Sequence, residues 1–292
     1  MLTRGQAVAF CDLRGGAVID TTVAGQMLVF VDETGHEDFA PGHPFFGFGG
    51  IAVMASRYVA QVREPWFGLK ERILGSADAS FHAADFPKDG EHEGALCEFF
   101  RSAPFFRFAI VSPKPSAAPD WEVFPRGPGE IHPIYEALSL ILRKVLVFAH
   151  DAQRCVVSRV AFAQEGSERA DRMADRYFKK LALAVPHEDI PVRLLRTSKA
   201  LCEPGCEVAD FVANEGGRQL RSLLRGQTEV LRRFHNMFEA VPKPLRAYVP
   251  VRGIEIERTA RRDAGGRLIF HAEVKIAYGV ESATTGSAGT RA

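Results

Sequence analysis

LVFVDETGHEDF, residues 28–39, sets the reading of the whole chain. Four apolar residues run without interruption into Asp32 and Glu33, and Gly35 follows as a break. Bounded by Gly25 and Gly35, residues 27–31 fit a buried strand. Side chains alternate along a strand, so Leu28, Phe30 and Asp32 share one face while Val29, Val31 and Glu33 share the other. A buried strand ending on carboxylates sets an acid at its carboxyl end, where open α/β sheets place their sites.

The residues that follow fill in the sheet. FFGFGGIAVM, residues 45–54, reads as a second strand whose glycines mark a bulge or a close approach. The loop before it, residues 34–44, suits an antiparallel neighbour. FFRFAIVS, residues 105–112, is a third strand, and helices fit residues 58–74 and 91–102. The Pro-rich run over 113–133 is an unusually long loop and so a candidate functional one. Beyond it the rhythm alternates: an apolar helix over 134–150, a strand over 155–162, a helix over 167–184 capped by Ser167, and a strand over 191–198. A helix opens at Pro204 and breaks at Gly216-Gly217, and a shorter helix covers 228–238. Residues 253–277 alternate and turn at Gly265-Gly266 as a β-hairpin.

This order predicts an α/β fold. A three-strand antiparallel meander leads into crossover α/β units, giving a mixed sheet with helices on both faces and a C-terminal β-hairpin. The expected organisation is an extension over 1–26, the main domain over 27–240, the hairpin extension over 241–280 and a disordered tail over 281–292.

Composition narrows the class. The chain has 292 residues and is 46% hydrophobic, enough for a sizeable core. It holds no apolar run near the ~18 residues of a membrane span, and its N-terminus has no clear signal-peptide h-region. Cys11, Cys97, Cys155, Cys202 and Cys206 form an odd, scattered set, which fits a reducing cytoplasm better than a disulfide framework. Residues 218–262 hold eleven Lys+Arg against four Asp+Glu, an asymmetry that suits a polyanionic partner as well as a solvated helix face.

A second acidic cluster lies in CEPGCEVADFVAN, residues 202–214. On a helix Glu207 and Asp210 are i and i+3, with Glu203 and Asn214 extending the stripe, while Val208, Phe211 and Val212 turn to the core. Carboxylates that converge repel one another unless divalent cations neutralise them. Two such ions, about 3.5–4 Å apart, activate water and stabilise a leaving oxygen at a phosphodiester. Each acid also has an ordinary structural reading. Asp before Thr-Gly is turn chemistry, and acids in a helix's first turn offset its dipole by about 0.3–1 kcal/mol.

The order of these motifs resembles a bacterial and phage family designated domain of unknown function 3800, described as ribonuclease H-like. Its opening Asp-Glu-Ser-Gly is matched by Asp32, Glu33, Thr34 and Gly35, and its late Gln-x-Ala-Asp by Glu207, Val208, Ala209 and Asp210. The resemblance spans residues 28–224. It implies a ribonuclease H-like fold in which Asp32 and Asp210 bind metal, with Glu207 an added carboxylate. It also implies a further acid on the middle strand, where the sequence offers Ser158 or Ala161, with Glu165 just after.

The expected activity is therefore that of a Mg²⁺- or Mn²⁺-dependent nuclease or phosphodiesterase. Asp32, Asp210, Glu33 and Glu207 are its catalytic set, and Asp32, Asp210 and Glu207 its metal ligands. His82, Asp85 and Glu165 are auxiliary candidates. Arg221, Arg225, Arg232 and Arg233 would hold a nucleic acid backbone, with Phe234 or His235 free to stack on a base. The competing structural reading makes Leu223, Leu224, Leu231 and Phe238 a core face beneath solvated arginines. A non-catalytic module of the same fold is the alternative, motivated by the missing middle-strand acid. Cys202 and Cys206 lack the further ligands of a zinc site. No Walker-type phosphate loop and no serine nucleophile elbow appears.

Overall fold

Alternation along the first core strand decides which layer each residue meets. In a computed structural model, β3 (Gln26–Gly35) runs through Asp32 and Glu33 and ends at Gly35. The residues described are 7–12, 17–20, 25–36, 39, 42–87, 89–114, 159–165, 192–197, 203–262 and 268–278, with single helical positions at 134, 138, 141, 142, 144–146 and 149. β1 (Ala7–Asp12) and β2 (Ala17–Asp20) precede β3. After it come β4 (Phe45–Met54), β5 (Phe106–Pro113), β6 (Arg159–Glu165), β7 (Val192–Thr197), β8 (Arg246–Arg262) and β9 (Leu268–Tyr278).

The strands form one mixed sheet in the order β2-β1-β7-β6-β3-β4-β5-β8-β9. β3, β4 and β5 are an antiparallel meander, β6 is parallel to β3, and β7 is parallel to β6. β8 lies parallel to β5 and antiparallel to β9. Within the expected extension over 1–26, β1 and β2 pair with each other, and β1 joins the sheet on β7. Residues 155–158, the expected helix over 167–184, the expected turn at Gly265-Gly266 and the expected tail lie outside the described residues.

Period-2 alternation feeds two cores. Leu28, Phe30, Ile51 and Val53 face one side, Met27, Val29, Val31, Phe46 and Phe48 the other. On the second side, helical Ile134, Leu138, Ile141, Leu142, Val145, Leu146 and Ala149 cover the sheet. On the first side, α1 (Ala55–Tyr58) passes through a π-helical turn (Val59–Arg63) into α2 (Glu64–Leu74), and α3 (Gly90–Ser102) and α4 (Pro204–Leu224) complete the layer. Asp89 caps α3 by accepting the His92 N–H at 2.9 Å, which satisfies one orphan donor of its first turn.

α4 does not break at Gly216-Gly217. Those glycines are contact residues. A Cβ at Gly216 would fall 2.5 Å from Ala109 Cβ, and one at Gly217 would fall 2.5 Å from Thr34 Oγ1. A Cβ at Gly205 would overlap the Phe30 ring, and one at Gly49 on β4 would overlap the Ala213 backbone. Helix and sheet therefore meet backbone to backbone at Gly49 on β4, while at β3 and β5 the helix glycines admit the side chains of Phe30, Thr34 and Ala109.

Candidate functional site

The helix–sheet register positions the two expected acids. Gly205 of α4 lies on Phe30, Ala213 on Gly49, and Gly217 on Thr34. Gly49 is the pairing partner of Asp32. Asp32 shares its face with Phe30 and Thr34, both of which meet α4, so it stands beneath the helix turn that carries Asp210. Asp32 is half-buried, and its Oδ1 accepts the Glu33 N–H at 2.9 Å. Asp210 is half-buried as well, and its Oδ2 accepts the Ala83 N–H at 2.8 Å.

His82 stands beside Asp210. Its Nδ1 is 3.6 Å from Asp210 Oδ2, and its Nε2 is 3.0 Å from Ser80 Oγ. The expected i, i+3 relation of His82 and Asp85 arises from a 3₁₀ turn (Ala83–Asp85), in which the Asp85 N–H donates to His82 O at 3.1 Å. That turn also directs the Ala83 N–H at Asp210. Asp85 itself is exposed at the end of the turn.

Two expected site residues are placed elsewhere. Glu33 belongs to the opposite face, because β3 stays paired through Gly35 and alternation therefore holds; it lies opposite Phe48 on the side of Val29 and Val31. Glu207 lies away from the sheet. At about 100° per residue it stands roughly 200° round α4 from sheet-facing Gly205. Its buried carboxylate takes Trp66 Nε1 at 2.7 Å, Lys70 Nζ at 3.0 and 3.1 Å, and the Phe81 N–H at 2.9 Å. Burial pushes its carboxyl above the usual range against the downward pull of Lys70. Glu207 is thus an anchor between α2, α4 and the segment before His82, and not the third carboxylate of a cation site.

The strand register supplies a different third position. Leu28 pairs with Ala161 and Phe30 with Ala163 on parallel β6. Asp32 is two residues past Phe30, and Glu165 two past Ala163. Ala161 sits four residues too early on the strand, so Glu165 is the acid whose backbone position is level with Asp32. Among the described residues, no three His, Cys, Asp or Glu side chains form a metal-holding group. Asp32 and Asp210 are hard oxygen donors suited to Mg²⁺ or Mn²⁺, and a carboxylate at position 165 would complete a three-acid set.

Four arginines expected on one nucleic-acid surface have different settings. Arg221 lies with Cζ 5.2 Å over the Phe45 ring, and Arg225 is exposed at the end of α4. Arg232 is exposed, whereas Arg233 is held 3.6 Å from Glu93 and 4.5 Å over the Phe86 ring. Phe234 is not free to stack on a base, because it is buried against Phe238 and Tyr248. His235 is exposed and 3.0 Å from Glu239. Phe238 is core as expected, but Leu223 and Leu224 are exposed. Cys97 and Cys206 are buried, and Cys202 lies outside the described residues.

The sequence reading misses the polar cluster under α4. Tyr58 donates to Glu203 and accepts the Gly205 N–H at 3.0 Å, and burial raises both the Tyr58 and the Glu203 pKa. Trp66 and Lys70 at i and i+4 on α2 were the available signal, since they put an indole N–H and an ammonium on one helix face. Among the described residues no helix is long and apolar enough to cross a membrane. No protein-family model, no curated protein and no solved structure matches the chain.

Proposed function

We propose that the chain is a Mg²⁺- or Mn²⁺-dependent nuclease or phosphodiesterase with a ribonuclease H-like fold and a C-terminal β-hairpin extending its sheet. The observation that carries this reading is the strand order β7-β6-β3-β4-β5, with Asp32 at the carboxyl end of the central strand and Asp210 on the helix that crosses it. The resemblance of the Asp-Glu-Thr-Gly and Glu-Val-Ala-Asp motifs to the ribonuclease H-like family supports the same reading. In this proposal Asp32, Asp210 and Glu165 hold the cation, and His82 lines the site beside Asp210. The bound ion would supply charge neutralisation and Lewis acidity at the scissile phosphate. The chain's own residues fix where the phosphate sits: Asp32 from the sheet, Asp210 from the helix. The alternative is a non-catalytic module of the same fold, and the backbone position of Glu165, level with Asp32, favours the catalytic reading over it.

The test is melting with Mn²⁺ or Mg²⁺ against EDTA, run beside a cleavage screen on DNA and RNA. A cation that binds the folded state alone at ~100 times its Kd adds about 2.7 kcal/mol. That gain, and metal-dependent cleavage, are expected in wild type and in Glu207→Gln. Both are expected to vanish in Asp32→Asn, Asp210→Asn and Glu165→Gln. Cleavage that survives Asp32→Asn would sink the proposal.

A further inference from the structure

α4 is buried nearly all the way round. From Pro204 to Ser222, the residues not buried are Asp210, Asn214, Arg218 and Arg221. At about 100° per residue these four fall within an arc of roughly 80°. They form one polar slit in an otherwise covered helix. It starts at Asp210 and runs eleven residues to Arg221, roughly 16 Å at about 1.5 Å per residue.

Charge changes sign along the slit, from acid through amide to guanidinium. Arg218 is largely compensated, because its Nη1 is 2.8 Å from buried Glu215. Arg221 is different. It has no carboxylate partner among the described residues, its Nε is buried without a hydrogen-bond partner, and its guanidinium lies over Phe45. An aromatic face holds that side chain in place without neutralising it. A cation so held, in line with an acidic site, fits a second phosphate of a polyanion whose first phosphate lies at the acids.

We propose that this slit is the track of one polynucleotide strand, laid along α4 from the acids to Arg221. The inference rests on the nuclease reading and deepens it. At about 3.4 Å per nucleotide, roughly 16 Å spans about five steps. The substrate class is therefore a polynucleotide with about five nucleotides on one side of the scissile bond, and not a mononucleotide or a cyclic dinucleotide. Arg233 stands outside the track, bound to Glu93.

The experiment measures cleavage of labelled single-stranded oligonucleotides of about four, eight and sixteen residues by the full chain in Mn²⁺. It also measures anisotropy of the longest in Asp32→Asn across a salt series. In wild type, kcat/KM is expected to rise about ten-fold once the strand reaches Arg221, and then to level off. Arg221→Gln is expected to abolish that rise through KM, with kcat unchanged, and to make the salt slope of binding shallower by about one. Arg221→Lys, which keeps the charge, is expected to retain the slope, and Arg72→Gln, an exposed charge on α2, to behave as wild type. Equal length dependence in wild type and Arg221→Gln, with cleavage intact, would overturn the track and leave the nuclease standing. A wild-type chain that neither binds nor cleaves any length would overturn both.

Discussion

At Lys70 and Glu207 a fully buried ammonium meets a buried carboxylate, and two further donors complete the acceptor's shell. Burying such a pair costs desolvation that its attraction roughly returns, but losing one partner strands the other. Lys70→Met is therefore expected to cost about 3–5 kcal/mol in urea unfolding at neutral pH. The loss should shrink at lower pH, where Glu207 takes up a proton. That role was hidden in the sequence, because an acid at i−3 from Asp210 looks the same whether it faces a cation or a lysine. Asp32 was legible for the opposite reason. A carboxylate following an unbroken apolar run has nowhere to go but the strand's end. Glu165 can be weighed only when the parallel register of β6 is known, because a strand placed four residues early puts Ala161 in its place.

Elements were easiest to read where one periodicity governs them. β3 and β4 alternate cleanly, and α3 begins at its Asp89 cap. β1 and β2 are harder to read, although AVAFCD-LRGG-AVID sets Gly15-Gly16 between two short apolar runs, a hairpin pattern in its own right. Glycine in a helix reads as a breaker, so the sequence predicts a break at Gly216-Gly217, whereas the missing Cβ atoms there admit Ala109 and Thr34 and α4 runs on to Leu224. Two substitutions separate these roles. Gly49→Ala forces a methyl into the Ala213 backbone and is expected to destabilise by about 1–3 kcal/mol or more. Gly68→Ala, on the exposed side of α2 with nothing within 4 Å, is expected to stabilise by about 0.5–1 kcal/mol. Denaturant midpoints of the two variants check both signs.

At the scale of the whole molecule, three buried acids among the described residues contribute to the response to pH. Glu203, Glu207 and Glu215 all have carboxyls raised above their ordinary value of 4.5, in each case chiefly by burial. The folded chain therefore keeps protons that the unfolded chain has lost, and stability falls as pH rises from 4.5 through the folded values. Unfolding free energies measured across that range should decline, and Glu203→Gln should flatten the decline because one of the three acids no longer titrates. A steeper curve in the variant would contradict the burial argument. The mixed sheet itself, with helices on both faces, could be anticipated because strands and helices follow in an order few topologies accommodate. The nine-strand span could not, since its outer hairpins join it through β1–β7 and β5–β8, pairings between residues far apart in sequence.

Because no side chain separates α4 from the sheet where Gly49 of β4 meets the Ala213 backbone, the spacing of helix and sheet at that crossing is gauged by main chain. Ordinary substitutions trim or lengthen side chains, and there is none here to trim. That crossing has a fixed minimum width, and mutation acts on it as a one-way wedge. Drift can open it, but no residue smaller than glycine exists to close it further.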